Sequence, residues 1–240
     1  MVTEYTGERT REAGETRAAA PRLENGDHLT RAEFERRYAA SPHIKKAELI
    51  EGVVHVASPV FMGKHARPHL HIAGLLFTYL AATSGTDGGD NATVQLDAEN
   101  VVQPDALLRI HEQLGGQSRQ TGNDFLAGAP ELVIEVAASS ASYDLHEKLR
   151  VYRRNGVQEY VVFLALEQQT VWYRLNEGRY DEVEPDGEGI YRSHIFPGLW
   201  LNGRAFWADD LPALMATVQA GLTSDAHTAF VAALSQAARA

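Results

Sequence analysis

The run PELVIEVAA (130–138) constrains this chain more than any other segment. Leu132, Val133, Ile134 and Val136 are apolar at consecutive positions, so an extended strand here is buried on both faces. Such a strand lies inside a sheet with helices packed on it. One carboxylate, Glu135, interrupts the run. A lone carboxylate inside a sheet is costly unless something compensates it.

The flanking segments fit this picture. ASYDLHEKLRVYRRN (141–155) has helical spacing, and Gly156 stands just past its end as a C-terminal glycine does. VQEYVVFLAL (157–166) and QTVWYRL (169–175) then read as strands meeting near Glu167-Gln168-Gln169, with RYDEVE (179–184) extending the meander. Upstream, residues 30–40 form a short helix opened by Thr30 and Glu33 in the capping-box pattern. AELIEGVVHVASP (47–59) is a strand pair with its turn at Glu51-Gly52, and residues 64–82 carry apolar positions at helical spacing. GTDGGDN (85–91) reads as a tight turn. ATVQLDA (92–98) and NVVQPDALLRI (100–110) follow as two strands. HEQLGGQSRQTGN (111–123) is a polar, Gly-rich loop. The order of elements implies an α/β (α+β) domain over residues 27–204, a mixed β-sheet flanked by helices. Residues 1–26 read as a flexible tail, being too poor in apolar side chains to offset ordering entropy. Residues 205–240 are Ala-rich and read as a C-terminal helical appendage.

Composition narrows the chemistry. The 240 residues include no cysteine, so disulfides and thiolate ligands are excluded and any metal must take oxygen or imidazole donors. The formal net charge of −10 argues against a protein that coats nucleic acid through phosphate contacts. It is compatible with a local site that uses bound cations. The N-terminal segment lacks the apolar core of a signal peptide, and no run approaches the length of a membrane span. The expectation is a cytoplasmic protein without a membrane partner.

Asp105, inside VVQPDALL, breaks its apolar surroundings as Glu135 does. A divalent cation shared by the two would compensate both, and magnesium is commonly held by one or two carboxylates with waters and phosphate oxygens. Asp144, Lys148 and Tyr152 are spaced i, i+4, i+8 and share one helix face. Leu145 and Leu149 form the adjacent stripe that packs on the sheet, which brings Lys148 toward the end of the strand carrying Glu135. An ammonium there can orient an attacking water or stabilise charge on a phosphate.

ELIEG (48–52), QPDALL (103–108), PELVIEVA (130–137), DLHEK (144–148), then Tyr152, Gly156 and Glu159-Tyr160, together resemble the Uma-type family of proteins classed as restriction endonucleases, within the PD-(D/E)xK nuclease superfamily. The resemblance runs from about residue 28 to residue 204 and includes FPGLWLNG (196–203). It implies a restriction-endonuclease-like core and a Mg2+- or Mn2+-dependent endonuclease that hydrolyses phosphodiester bonds, of DNA above all. By the resemblance, Asp105 and Glu135 are metal ligands, Glu51 is the early acid that completes the metal site, and His65 is a further site residue. Tyr152 joins them as an additional candidate. The superfamily's lysine two residues after the second acid is replaced by Ala137, and Lys148 matches the migrated lysine of this branch. Ala138-Ser139-Ser140 and Val161 depart from the family's Ser-Pro-Ser and tryptophan. A homodimer is expected, because cutting two strands favours two sites related by symmetry.

Two other readings compete. A non-catalytic interaction or regulatory module would keep the fold without binding metal. His65, His69 and His71 could build a zinc hydrolase, although only His65 and His69 share a helix face. Arg150, Arg153 and Arg154 read as a solvated helix face.

Overall fold

The computed structural model describes residues 21–57, 61–138 and 140–239. Most of the expected N-terminal tail lies outside these residues. The end of that segment is packed: Leu23 is buried beside Phe34 and Leu49, and Gly26 N donates to Val54 O. Its apolar side chain and backbone donor find partners that composition alone does not show.

The first half of the chain contains α1 (Arg31–Ala39), β1 (Ala47–Ile50), β2 (Val53–Val56), a π-turn at Met62–Ala66, α2 (Arg67–Ala82), β3 (Thr86–Asp90), β4 (Val94–Gln95), β5 (Val101–Val102) and β6 (Ala106–Ile110). Then come β7 (Arg119–Gln120), β8 (Leu126–Ala127) and β9 (Leu132–Ala137). A helical run follows, composed of α3 (Ala141–Tyr143), a π-turn at Asp144–Lys148 and α4 (Leu149–Asn155). The chain continues through β10 (Glu159–Leu164), β11 (Gln169–Asn176), β12 (Arg179–Glu182), β13 (Ile190–Arg192) and β14 (Trp200–Asn202) to α5 (Gly203–Trp207), α6 (Leu211–Leu222) and α7 (Asp225–Ala237).

The strands form a central mixed sheet in the order β12-β11-β10-β9-β6-β3, a second sheet in the order β2-β1-β5-β4-β8-β7, and the small β13-β14 pair. β9 and β10 are parallel, and the helical run between them is the crossover that parallel pairing requires. On one face of β9, Leu132, Ile134 and Val136 pack with Leu75, Leu76 and Phe206. On the other, Val133 and Ala137 pack with Val151, Tyr152 and Ile50. Strand alternation puts Glu135 on this second face, between the central sheet, α4 and the second sheet.

The segment 100–110 is not one strand. Pro104 has no N–H to give a ladder, and the chain leaves the second sheet after β5 and joins the central sheet at β6. Asp105 sits at that junction. Residues 86–90 pair with β6 as an edge strand instead of forming a turn. Pairing overrides the weak strand preference of TDGGD, and Gly88 gives room to Leu80 and Leu108.

The helices that follow β14 pack on the domain in part. Phe206, Leu214 and Val218 are buried in the same apolar cluster as β9 and β10. Gly221 lies so close to the backbone of Gly198 that a Cβ there would stand 2.2 Å from its carbonyl oxygen. The apolar positions of α6 pack on β14 and α2. No helix among the described residues is long and apolar enough to cross a membrane.

Candidate active site

The two sheets, α2 and the π-turn at Asp144–Lys148 enclose a cleft of about 750 Å³. Its floor carries Asp105 and Glu135. The β6/β9 register pairs Ala106 with Ile134, and one further step sets Asp105 across from Glu135. There Asp105 Oδ2 accepts from Val136 N at 2.9 Å. Lys46 Nζ lies 2.9 Å from Asp105 Oδ1, and His65 Nε2 lies 3.1 Å from Oδ2. Burial works against ionisation of Asp105, but the bond to His65 and the charge of Lys46 outweigh it and hold the carboxyl below its ordinary range.

Lys148 Nζ lies 2.8 Å from Glu135 Oε1 and 2.9 Å from Glu48 Oε2, with Asp144 Oδ1 at 3.8 Å. Tyr152 donates to the same Glu135 oxygen at 2.9 Å. Burial raises Glu135 to about 8, assisted by Asp105, Asp144 and Glu48 and opposed by Lys148. Burial alone would lower Lys148, yet the surrounding carboxylates outweigh it and keep the ammonium protonated.

The backbone explains these placements. Lys148 and Asp144 belong to a π-turn, and His65 belongs to another at Met62–Ala66. A π-turn widens the helix locally and re-aims its side chains, and such turns recur at functional sites. Tyr160 on β10 supports the second turn by donating to Asp144 O at 3.1 Å. Ala137 is fully buried among apolar side chains.

The structure thus gathers Asp105, Glu135, Lys148, Tyr152 and His65, and it separates Glu51 from them. Glu51 occupies the β1–β2 turn with φ of 51° and pairs on the surface with Arg150 and Arg154 at 3.3 and 3.1 Å. A turn residue extends away from the ladder, which is why it misses the cleft. The acid supplied by this hairpin is Glu48, which also accepts from Gln103 N at 2.8 Å. Glu48 and Lys46 went unnoticed in the sequence, although their signal is present. They share strand parity, while Ala47 and Leu49 point into the α1 cluster.

His65 and His69 lie side by side with ring centroids 5.6 Å apart, and His71 turns away from them. His69 Nε2 lies between Asp105 O at 2.8 Å and Asp90 Oδ1 at 2.7 Å, and His71 faces Asp209 at 3.8 Å. Arg153 donates to Gly178 O, so the three arginines of α4 make protein contacts.

Five carboxylates line the cleft (Glu48, Asp90, Asp105, Glu135 and Asp144) against two lysines, Lys46 and Lys148. Among the described residues no three Asp, Glu or His side chains are grouped so as to hold a metal ion by themselves. Both donors to Glu135 take Oε1, and Oε2 receives no hydrogen bond among the described residues. The donor set is therefore oxygen-rich and incomplete, which suits a hard cation that keeps waters and substrate oxygens. It does not suit zinc.

One buried acid within β9 and another just before β6, with a lysine from the helical run that follows β9, line one cleft of a mixed α/β domain. The match to known families is specific. The Uma2 family, described as "Putative restriction endonuclease", matches residues 31–204, and the chain belongs to that family. Among solved structures, a putative nuclease belonging to DUF820 from Anabaena variabilis is similar at 15% identity and a TM-score of 0.48, over 72% of this chain and 90% of that one. No curated protein matches the chain.

Proposed function

We propose that the protein is a divalent-metal-dependent nuclease that hydrolyses phosphodiester bonds of DNA, with Asp105 and Glu135 holding Mg2+ or Mn2+. The observation that carries this reading is the pair of buried carboxylates on adjacent strands, with Glu135 Oε2 free of hydrogen bonds among the described residues. Glu48 borders the same position. When bound, the cation supplies a polarised phosphate oxygen and a water of lowered pKa.

The protein's own groups do the rest. The carboxylates around Lys148 favour its ammonium form. That ammonium orients the water and stabilises the negative charge that develops on the phosphate. Tyr152 and Glu48 fix Lys148 and Glu135 in place. His65 and Lys46 keep Asp105 ionised and oriented. Because the Glu135 carboxyl sits high, cation binding there competes with a proton. A cytoplasmic setting and a homodimer, which cutting both strands favours, belong to the same reading.

Purified protein should cleave DNA with Mn2+ or Mg2+, and Glu135→Ala should abolish the cleavage. Equal cleavage by that variant would defeat the proposal. The closed Lys148–Glu135–Glu48 ion cluster favours a second reading, in which the fold serves as an interaction module whose acids are satisfied internally. Calorimetry separates the two: that reading requires no cation binding that depends on Asp105.

A further inference from the structure

Depth, charge and lining of the cleft bear on what it admits. Asp105 and Glu135 are each only 3% exposed, so a phosphodiester reaches them only by entering the cleft. The walls are unlike those that hold duplex DNA. Specific duplex interfaces are broad and strongly positive, and affinity comes from lysines and arginines on successive phosphates. Here five carboxylates face two lysines, both committed to those carboxylates, so any phosphate approaches the acids only with a bound cation, and it is the depth of the acids, not the charge, that separates a single strand from a duplex. Arg67, beside the entrance, is paired with Asp209.

Flat and apolar surfaces line the same cleft. His55 and Tyr143 stack with ring centroids 4.5 Å apart. Phe61 lines the cleft and is 65% exposed, and Leu70 beside it is 67% exposed. Phe61 is a solvent-facing ring that burial in the core does not explain, whereas His55 and Tyr143 are half-buried and Tyr143 also packs on the core. These rings suit a nucleobase, because base–aromatic stacking binds without reading sequence. Enzymes that act below the surface take unpaired or extruded nucleotides for the same steric reason.

We propose that the cleft takes an unpaired nucleotide within a single-stranded polynucleotide, not an intact duplex, with its base against Phe61 and the His55–Tyr143 pair and its phosphate over Asp105 and Glu135. This rests on the nuclease reading and narrows it. It also removes the need for two symmetric sites, since one strand is engaged at a time.

The test measures binding and cleavage separately. Fluorescence anisotropy with Mg2+ compares a labelled single-stranded oligodeoxynucleotide, the matching oligoribonucleotide and the blunt duplex of the same sequence. The single strands should bind at least about tenfold more tightly than the duplex, and Phe61→Ala should weaken that binding roughly tenfold. Phe61→Trp should retain it. Phe77→Ala, an exposed aromatic on α2 that does not line the cleft, should have no effect. Equal binding of duplex and single strand, or no response to Phe61→Ala, overturns the inference even where DNA is cleaved. Phe61-dependent single-strand binding without cleavage by either metal supports the inference and defeats the nuclease reading alone. The two single strands decide between DNA and RNA.

Discussion

Lys148 Nζ and Glu135 Oε1 lie 2.8 Å apart although the residues belong to different elements, a helix turn and a central strand. Both are 3% exposed. The contact exists because β9 alternation points Glu135 toward α4, and because the π-turn at Asp144–Lys148 directs the lysine back at the sheet.

Removing one partner leaves a buried charge. Lys148→Met should destabilise the fold by about 3 kcal/mol or more, since breaking a buried pair from one side costs far more than replacing both. Glu135→Gln combined with Lys148→Met should recover part of that loss. Urea unfolding of wild type, Lys148→Met, Glu135→Gln and the double variant reads the coupling; strictly additive effects would show that the pair is not interacting.

Asp105→Asn and Glu135→Gln should each abolish calorimetric Mn2+ binding together with cleavage. Glu51→Gln should change neither. It should alter stability by less than about 1 kcal/mol, because its partners are exposed arginines and surface pairs contribute little. Loss of metal binding in Glu51→Gln would return that residue to the site.

Glu159 offers a pH test away from the cleft. Its carboxylate accepts from Ser193 Oγ at 2.6 Å and from His194 N at 2.8 Å, pinning the loop before β14. Burial raises this carboxyl above its ordinary value despite those bonds. The folded state therefore holds the proton more tightly than the unfolded chain, and stability falls as pH rises from the ordinary carboxylate range through the raised value. Glu159→Gln should flatten that part of the profile in urea midpoints measured across pH. Glu159→Ala should cost about 2 kcal/mol or more, leaving buried donors unpaired.

Gly221→Ala should lower thermal stability by about 1–3 kcal/mol, because a methyl there overlaps the Gly198 carbonyl and the backbone must shift. Its melting temperature checks whether α6 belongs to the core. An unchanged value would mean that the helix yields freely, as an appendage would.

Local signals fixed much of this protein from the sequence alone. The doubly apolar run around Glu135 required a covered sheet. Helical spacing put Asp144, Lys148 and Tyr152 on one face, and Gly156 marked the helix end, where φ is 84°. Asp105 and Glu135 stood out because a carboxylate in an apolar strand is costly whatever surrounds it. Tertiary structure decided the rest, since it depends on which strands pair. The break at Pro104 sends one half of a continuous apolar run to each sheet and leaves Asp105 at their junction. Glu48 rather than Glu51 faces Lys148, because strand parity acts only once β1 is packed on both sides. Phe206, Leu214 and Val218 joined the core for a similar reason: apolar positions like theirs are ordinary for any helix, and only the packing of α6 on α2 and β14 decided where they are buried.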